Sequence, residues 1–246
     1  MSKRRDIYVL ALLLLTSANS WSSENVTALT AIPQSTDKTA RDAMQAAHDA
    51  RLAWIDFPGF TADVRVQTDG VAHSGSILVT DDFDYELSIS DDAIQPWVNS
   101  KLRSVIGHRR PGSAATEVKL AESEASADFG LFVARLDGSG TFRIQDGLIR
   151  EVHRKNDSHW FEITNVEFFD AGDGKVLPET SSVTYRDPKT GDITKNVVNR
   201  FTWISVGDFL LPEGCLTIET SADGGRQTRQ LQFTKHKLSQ NAPPQP

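Results

Sequence analysis

Six histidines and a single cysteine are the side chains of this 246-residue chain best suited to metal or nucleophile chemistry. His153 and His159 flank Lys155-Asn156-Asp157-Ser158, a hairpin-turn sequence, and could share a metal across it. No helical His-Glu-x-x-His accompanies them, so they read more simply as turn-side histidines. His73, His108 and His236 have no sequence-adjacent partner. Asp170, Asp173 and Gly174 lack the ligand order of a calcium loop and read as a turn. Asp81, Asp82 and Asp84 read as a solvated strand end. A serine hydrolase of the elbow type needs Gly-x-Ser-x-Gly, which is absent, and Gly138-Ser139-Gly140 sits between two strand patterns. Cys215 lies in the strand-like run Cys215-Leu216-Thr217-Ile218 with no flanking cation to activate it, so a packed thiol is expected. No catalytic residue, metal or cofactor is assigned. Paired carboxylates of the glycosidase kind stay open, because their separation is spatial.

The large rings point to a different chemistry. Trp97, Trp160, Phe161, Phe168, Phe201 and Trp203 are many aromatics for the interior of a sheet. If the sheet curls, its concave face holds a ligand in place of a closed core. The candidate ligand-binding set is therefore Trp97, Trp160, Phe161, Phe201 and Trp203. His108, Arg109 and Arg110 join it, the arginines meeting an anionic headgroup at a cavity mouth. The plainer alternative is that the rings are core and the arginine pair is solvated.

The elements that position these residues are mostly strands. Ala40, Ala43, Met44, Ala47, Ala50 and Trp54 recur at helical spacing, which predicts a first helix from a cap at Ser35 or Thr36 to about Trp54. His48 falls at the edge of that stripe and Arg51 on it. From Thr61 the period becomes two: Ala62, Val64 and Val66 alternate with polar residues. Strands over 74–80 and 85–89 complete a meander. Ile94, Val98, Leu102, Val105 and Ile106 predict a second helix from about Asp92 to Ile106. Residues 108–128 are irregular, with a helical turn expected over Val118 to Ala125. Strands follow at 129–135, 141–145, 148–153, 159–169, 182–185, 192–204, 214–220 and 227–238. Asp146-Gly147 is a hairpin signal between two of them. Polar faces and the lack of βαβ alternation disfavour a parallel sheet. The fold expected is mainly β (α+β): a large curved antiparallel sheet or half-barrel of about ten strands with two helices packed on it.

The first residues differ in kind. Lys3, Arg4 and Arg5 precede an apolar run from Ile7 to Leu15, and Ala18-Asn19-Ser20 offers small residues for cleavage. This is the layout of a secretory signal over 1–20, too short to span a bilayer, which takes about 20 residues. A flexible leader (21–34), a single β domain with the two helices (35–239) and a disordered tail (240–246) are expected after it. The formal net charge of −7 repels phosphate backbones, which argues against nucleic-acid binding. A lone cysteine in an exported chain excludes an internal disulfide, so core burial must supply stability.

Several stretches resemble the domain-of-unknown-function 3386 family: Trp54-Ile55-Asp56-Phe57-Pro58-Gly59-Phe60-Thr61-Ala62-Asp63, Val105-Ile106-Gly107-His108-Arg109, Phe142-Arg143-Ile144-Gln145-Asp146-Gly147 and His236-Lys237-Leu238. That family carries no activity across. Over residues 38–89, the helix, the strand Phe60-Thr61-Ala62-Asp63-Val64 and the strand Gly75-Ser76-Ile77-Leu78-Val79 are similar to periplasmic lipoprotein carriers of the LolA/LolB type. That resemblance implies an open half-barrel with an apolar cavity lidded by helices. The expectation is an exported, periplasmic or extracellular protein with no transmembrane segment after cleavage. It would bind an apolar or amphipathic ligand, such as a lipid or lipoprotein acyl chain, between the sheet and its helices. A protein–protein interaction module of the envelope and a hydrolytic enzyme are the alternatives.

Overall fold

A computed structural model describes residues 37–121 and 129–239. The signal segment, the leader and the tail expected from the sequence lie outside the described residues.

Helix α1 spans Lys38–Asp49 and α2 spans Gln95–Gly107. The strands are β1 (Phe60–Thr68), β2 (Val71–Val79), β3 (Tyr85–Ile89), β4 (Val118–Leu120), β5 (Leu131–Arg135) and β6 (Thr141–Gln145). They continue as β7 (Leu148–Lys155), β8 (Trp160–Gly172), β9 (Lys175–Arg186), β10 (Ile193–Val206), β11 (Phe209–Ser221) and β12 (Arg226–Leu238). All twelve form one antiparallel sheet in the order β3-β2-β1-β12-β11-β10-β9-β8-β7-β6-β5-β4. Every neighbour is adjacent in sequence except β1 and β12, which pair through Val64↔Phe233 and Val66↔Leu231. The sheet is open and curved, with β3 and β4 at its two ends. Register shifts in the β8–β9 and β10–β11 pairs bend it.

Local chemistry accounts for the tight connections. Asp69-Gly70, Asp146-Gly147 and Asp173-Gly174 all have positive φ at both residues, the backbone a two-residue hairpin turn requires. Helix α1 is capped by Asp37, whose carboxylate accepts from the amides of Thr39 (2.7 Å) and Ala40 (3.3 Å). In α2, Pro96 falls in the first turn, where its missing N–H costs nothing.

Each helix covers one end of the inner face. Ala40, Met44 and Ala47 of α1 pack on Val118, Val133, Phe142 and Ile144. Val98, Leu102, Val105 and Ile106 of α2 pack on β1, β2 and β10–β12. Lys101 reaches through that second core to Asn199 (2.6 Å), and Cys215 is buried there, as expected, with its thiol pKa raised by burial.

The segment leaving α1 ties the two ends together. Leu52 donates its amide to the Val176 carbonyl (3.0 Å), and Val176 donates to the Ala50 carbonyl (2.8 Å). Trp54 then donates its amide to the Arg109 carbonyl (2.9 Å) and its indole N–H to the Leu210 carbonyl (3.0 Å). Its ring lies 4.5 Å from that of Phe57 and stacks on Phe83.

Three expectations are corrected. The first helix stops at Asp49, because the chain must straighten at Arg51 to bridge β9. Trp54, at helical spacing from Ala50, instead belongs to the α2 core. Val118–Leu120 is strand, paired to β5 as Val118↔Arg135 and Leu120↔Val133, where a helical turn was expected; the remainder of that turn lies outside the described residues. The expected antiparallel sheet of about ten strands has twelve, and β8 and β9 form one long bulged hairpin.

Because Trp54 is 1% exposed and ties the segment after α1 to the end of α2 and to β11, Trp54→Ala should cost roughly 3–5 kcal/mol. Urea denaturation measures this, and a loss under about 1 kcal/mol contradicts the role given to the segment.

Candidate functional site

Between the two covered ends, the inner face of the middle strands is left partly bare. No residue of β7 or β8 is fully buried, although Leu148, Ile149, Val152, Phe161, Ile163 and Phe168 are all apolar. By contrast β1, under α2, alternates buried and exposed along its whole length. Strand alternation puts Phe161 and Ile163 on one face with Glu162 and Thr164 on the other.

These side chains line a hollow of about 350 Å³, within the range of roughly 300–1,000 Å³ usual for small-molecule sites. Phe142, Val152 and Phe161 form its floor. The wall toward β9 is Val176 and Pro178, and Ala47 closes it at the end of α1. Asn165, whose amide donates to the Ile149 carbonyl (2.8 Å), is its neutral polar group.

The charged lining is entirely basic: Arg51, Arg109 and Arg154 border the hollow beside the imidazole of His108, and no carboxylate does among the described residues. Arg109 is the unusual member. It is 2% exposed, and its guanidinium lies 5.7 Å over the Trp203 ring. Its Nε and Nη1 are shut from solvent without a hydrogen-bond partner among the described residues. Burial, and then the charge of Arg51, push its pKa down to about 9, so it remains cationic at neutral pH. A buried cation with no counter-charge is costly, and most such groups in proteins are paired. Arg51 has a buried, unpartnered Nε, while its Nη2 lies 3.1 Å from His48 Nε2 and donates to the Arg110 carbonyl (3.3 Å). Arg154 packs 5.1 Å over Phe142 and donates to the Ser139 carbonyl (2.8 Å).

His108 caps the end of α2 beside these guanidiniums. Part of the residue meets solvent, yet the crowd of protein around its ring, then Arg109 and Arg51, bring its pKa down to about 4.

The structure thus brings Phe161, His108 and Arg109 of the candidate set to one hollow. Trp97 and Trp203 pack at the margin of the α2 core and Phe201 within it. Trp203 reaches the site only as the platform under Arg109. Trp160 lies at the β7–β8 corner, with the Lys155 ammonium 3.8 Å above its ring. Arg110 stacks on Phe83 and donates to the Asp82 carbonyl. The space between the sheet and α2 is filled, and the hollow lies beside the end of α1. Val152 and Ile163 carried a signal in their alternation with polar neighbours; Arg51 and Arg154 carried none, since only the fold brings them near Arg109.

The other histidines do not converge on the hollow. His153 lies 3.0 Å from Glu151, His73 pairs with Asp91 (3.3 Å), and His236 contacts the Pro212 carbonyl (2.9 Å). Among the described residues, no cluster of three His, Cys, Asp or Glu side chains has metal-binding geometry.

The depressed pKa of His108 has a consequence for stability. Between about pH 6.5 and 4 the unfolded chain binds a proton at this position that the folded chain refuses. The contribution is therefore present above the unfolded value and is lost as pH falls toward the folded one. His108→Gln removes this dependence, so between pH 7 and pH 4.5 the wild type should lose more stability than the variant. Equal losses in the urea midpoint would contradict the crowding assigned to the ring.

Solved structures that this chain is similar to include the following. A LolA superfamily protein from Nitrosomonas europaea is 9% identical, over 85% of this chain and 96% of its own, with a TM-score of 0.29. A domain described as an outer membrane lipoprotein-sorting protein, from Vibrio parahaemolyticus, is 9% identical over 83% and 95%, with a TM-score of 0.27. MucB, in a complex with MucA(peri), is 11% identical over 82% and 99%, with a TM-score of 0.20. Superpositions this loose carry no functional argument. No curated protein is matched. Residues 35–239 match the family described as protein of unknown function (DUF3386), and the chain belongs to that family.

Proposed function

We propose that this protein binds an apolar or amphipathic molecule, such as a lipid or acyl chain, in the hollow on the inner face of β6–β9, and does so outside the cytoplasm. The observation that carries the reading is the half-buried apolar surface of β7 and β8 facing a space of about 350 Å³. A sheet exposing that surface permanently would associate through it; a guest removes it from water. Each methylene so buried contributes about 0.8 kcal/mol, so a ten-carbon chain supplies on the order of 8 kcal/mol before ordering costs.

The lining favours binding over hydrolysis. No serine, threonine, cysteine or carboxylate borders the hollow among the described residues, so His108 has no nucleophile there to activate. Export is supported by the charged-then-apolar start of the sequence. No helix among the described residues is long and apolar enough to cross a membrane.

A neutral fluorescent probe tests the reading without invoking charge. N-phenyl-1-naphthylamine should bind the full chain with a blue shift and gain in emission. Ile163→Trp, which fills the hollow, should weaken that binding at least tenfold at an unchanged melting temperature. Thr164→Trp, on the opposite face, should not. Equal binding by all three proteins would show that the probe sits elsewhere and would remove the proposal.

A further inference from the structure

Resting on that reading and deepening it, we infer that the hollow takes a single-chain amphiphile by an oxyanion head, a carboxylate or a phosphate monoester, held against Arg109. Three features of the hollow meet in this inference: its volume, its charge and an unpaired guanidinium.

Volume limits the tail. A methylene is close to a water molecule in size, and water occupies roughly 30 Å³. About 350 Å³ therefore holds on the order of a dozen such groups. That suits one chain of medium length.

Charge selects the head. A chain with a net charge of −7 has gathered three arginines around this one apolar space, with no acid among the described lining residues. An anionic guest is drawn to that potential, while a cationic one is repelled.

Arg109 fixes where the head goes. It is 2% exposed and lines the hollow, and two of its three guanidinium nitrogens have no partner among the described residues. A guanidinium presents its donors as a planar fork that matches the two oxygens of a carboxylate or phosphate. Its stacking on Trp203 holds that fork in place before the guest arrives. Arg51, with its own unpartnered Nε, stands as the second donor at the same end. The tail then runs away from the arginines, along Val152, Phe161 and Ile163 toward Phe168.

Isothermal titration of the full chain with decanoate, decyl phosphate and decanol tests this. The wild type should bind at least one anionic ligand ten or more times more tightly than decanol, and the stronger of the two anions identifies the head. In Arg109→Met, which keeps the stem volume, that ligand should fall to the affinity of decanol, with decanol itself unchanged. Arg110→Met should change neither. Equal wild-type affinities for the anions and the alcohol overturn the head assignment while leaving the apolar site intact. If none of the three binds, both the assignment and the proposed function fail. A variant that loses decanol as sharply as the anions shows Arg109 to be a packing residue and also overturns the inference. Should Arg109→Met not fold, the wild-type comparison of charged with neutral ligands still decides.

Discussion

Two short helices cannot cover a twelve-stranded sheet, and the remaining architecture follows from that mismatch. At about 4.8 Å between strands the sheet is roughly 50 Å wide along its curve, while each helix is about 10 Å across. The 12 residues of α1 and 13 of α2 therefore roof one end each. Under them the inner face is a packed core. Between them it is apolar and only half-buried, and the segment 50–54 that joins the ends also closes one side of that region.

The placement of charge follows the same division. Beneath α2 one buried polar chain is closed on itself: Lys101 donates to Asn199, which also accepts from Thr217. At the hollow the buried guanidinium has no such chain. Arg109 keeps an aromatic contact but no counter-ion among the described residues. Replacing a buried charge by an apolar group of like volume is commonly neutral or stabilising, so stability alone gives no reason for a guanidinium there. Recognition of an incoming anion does.

Much of the sheet was legible from sequence because its signals are local. Asp146-Gly147 needs only its own backbone to make a turn, and the apolar face of α2 follows from spacing alone. Elements shaped by distant partners were not. Val118–Leu120 is too short to show alternation and is strand because β5 pairs with it. Around Pro178, the bulges of the β8–β9 pair break the period that would have announced a long hairpin. Trp54 imitated a helical stripe because its spacing agreed, though its burial comes from another core. For the hollow, alternation told which face of β8 is apolar but not whether a helix lies over it. Phe161, His108 and Arg109 line the hollow while the other candidate residues lie elsewhere, because helix cover is set by distant packing.

The most direct test of the central claim is the position of a guest on the sheet. A crystal structure of the full chain with decanoate brominated at its terminal carbon would locate the tail by the anomalous scattering of bromine and the carboxylate by its electron density. The account predicts bromine among Phe161, Ile163 and Phe168, with the carboxylate toward Arg109. Bromine against α2 or on the outer face of the sheet would contradict it.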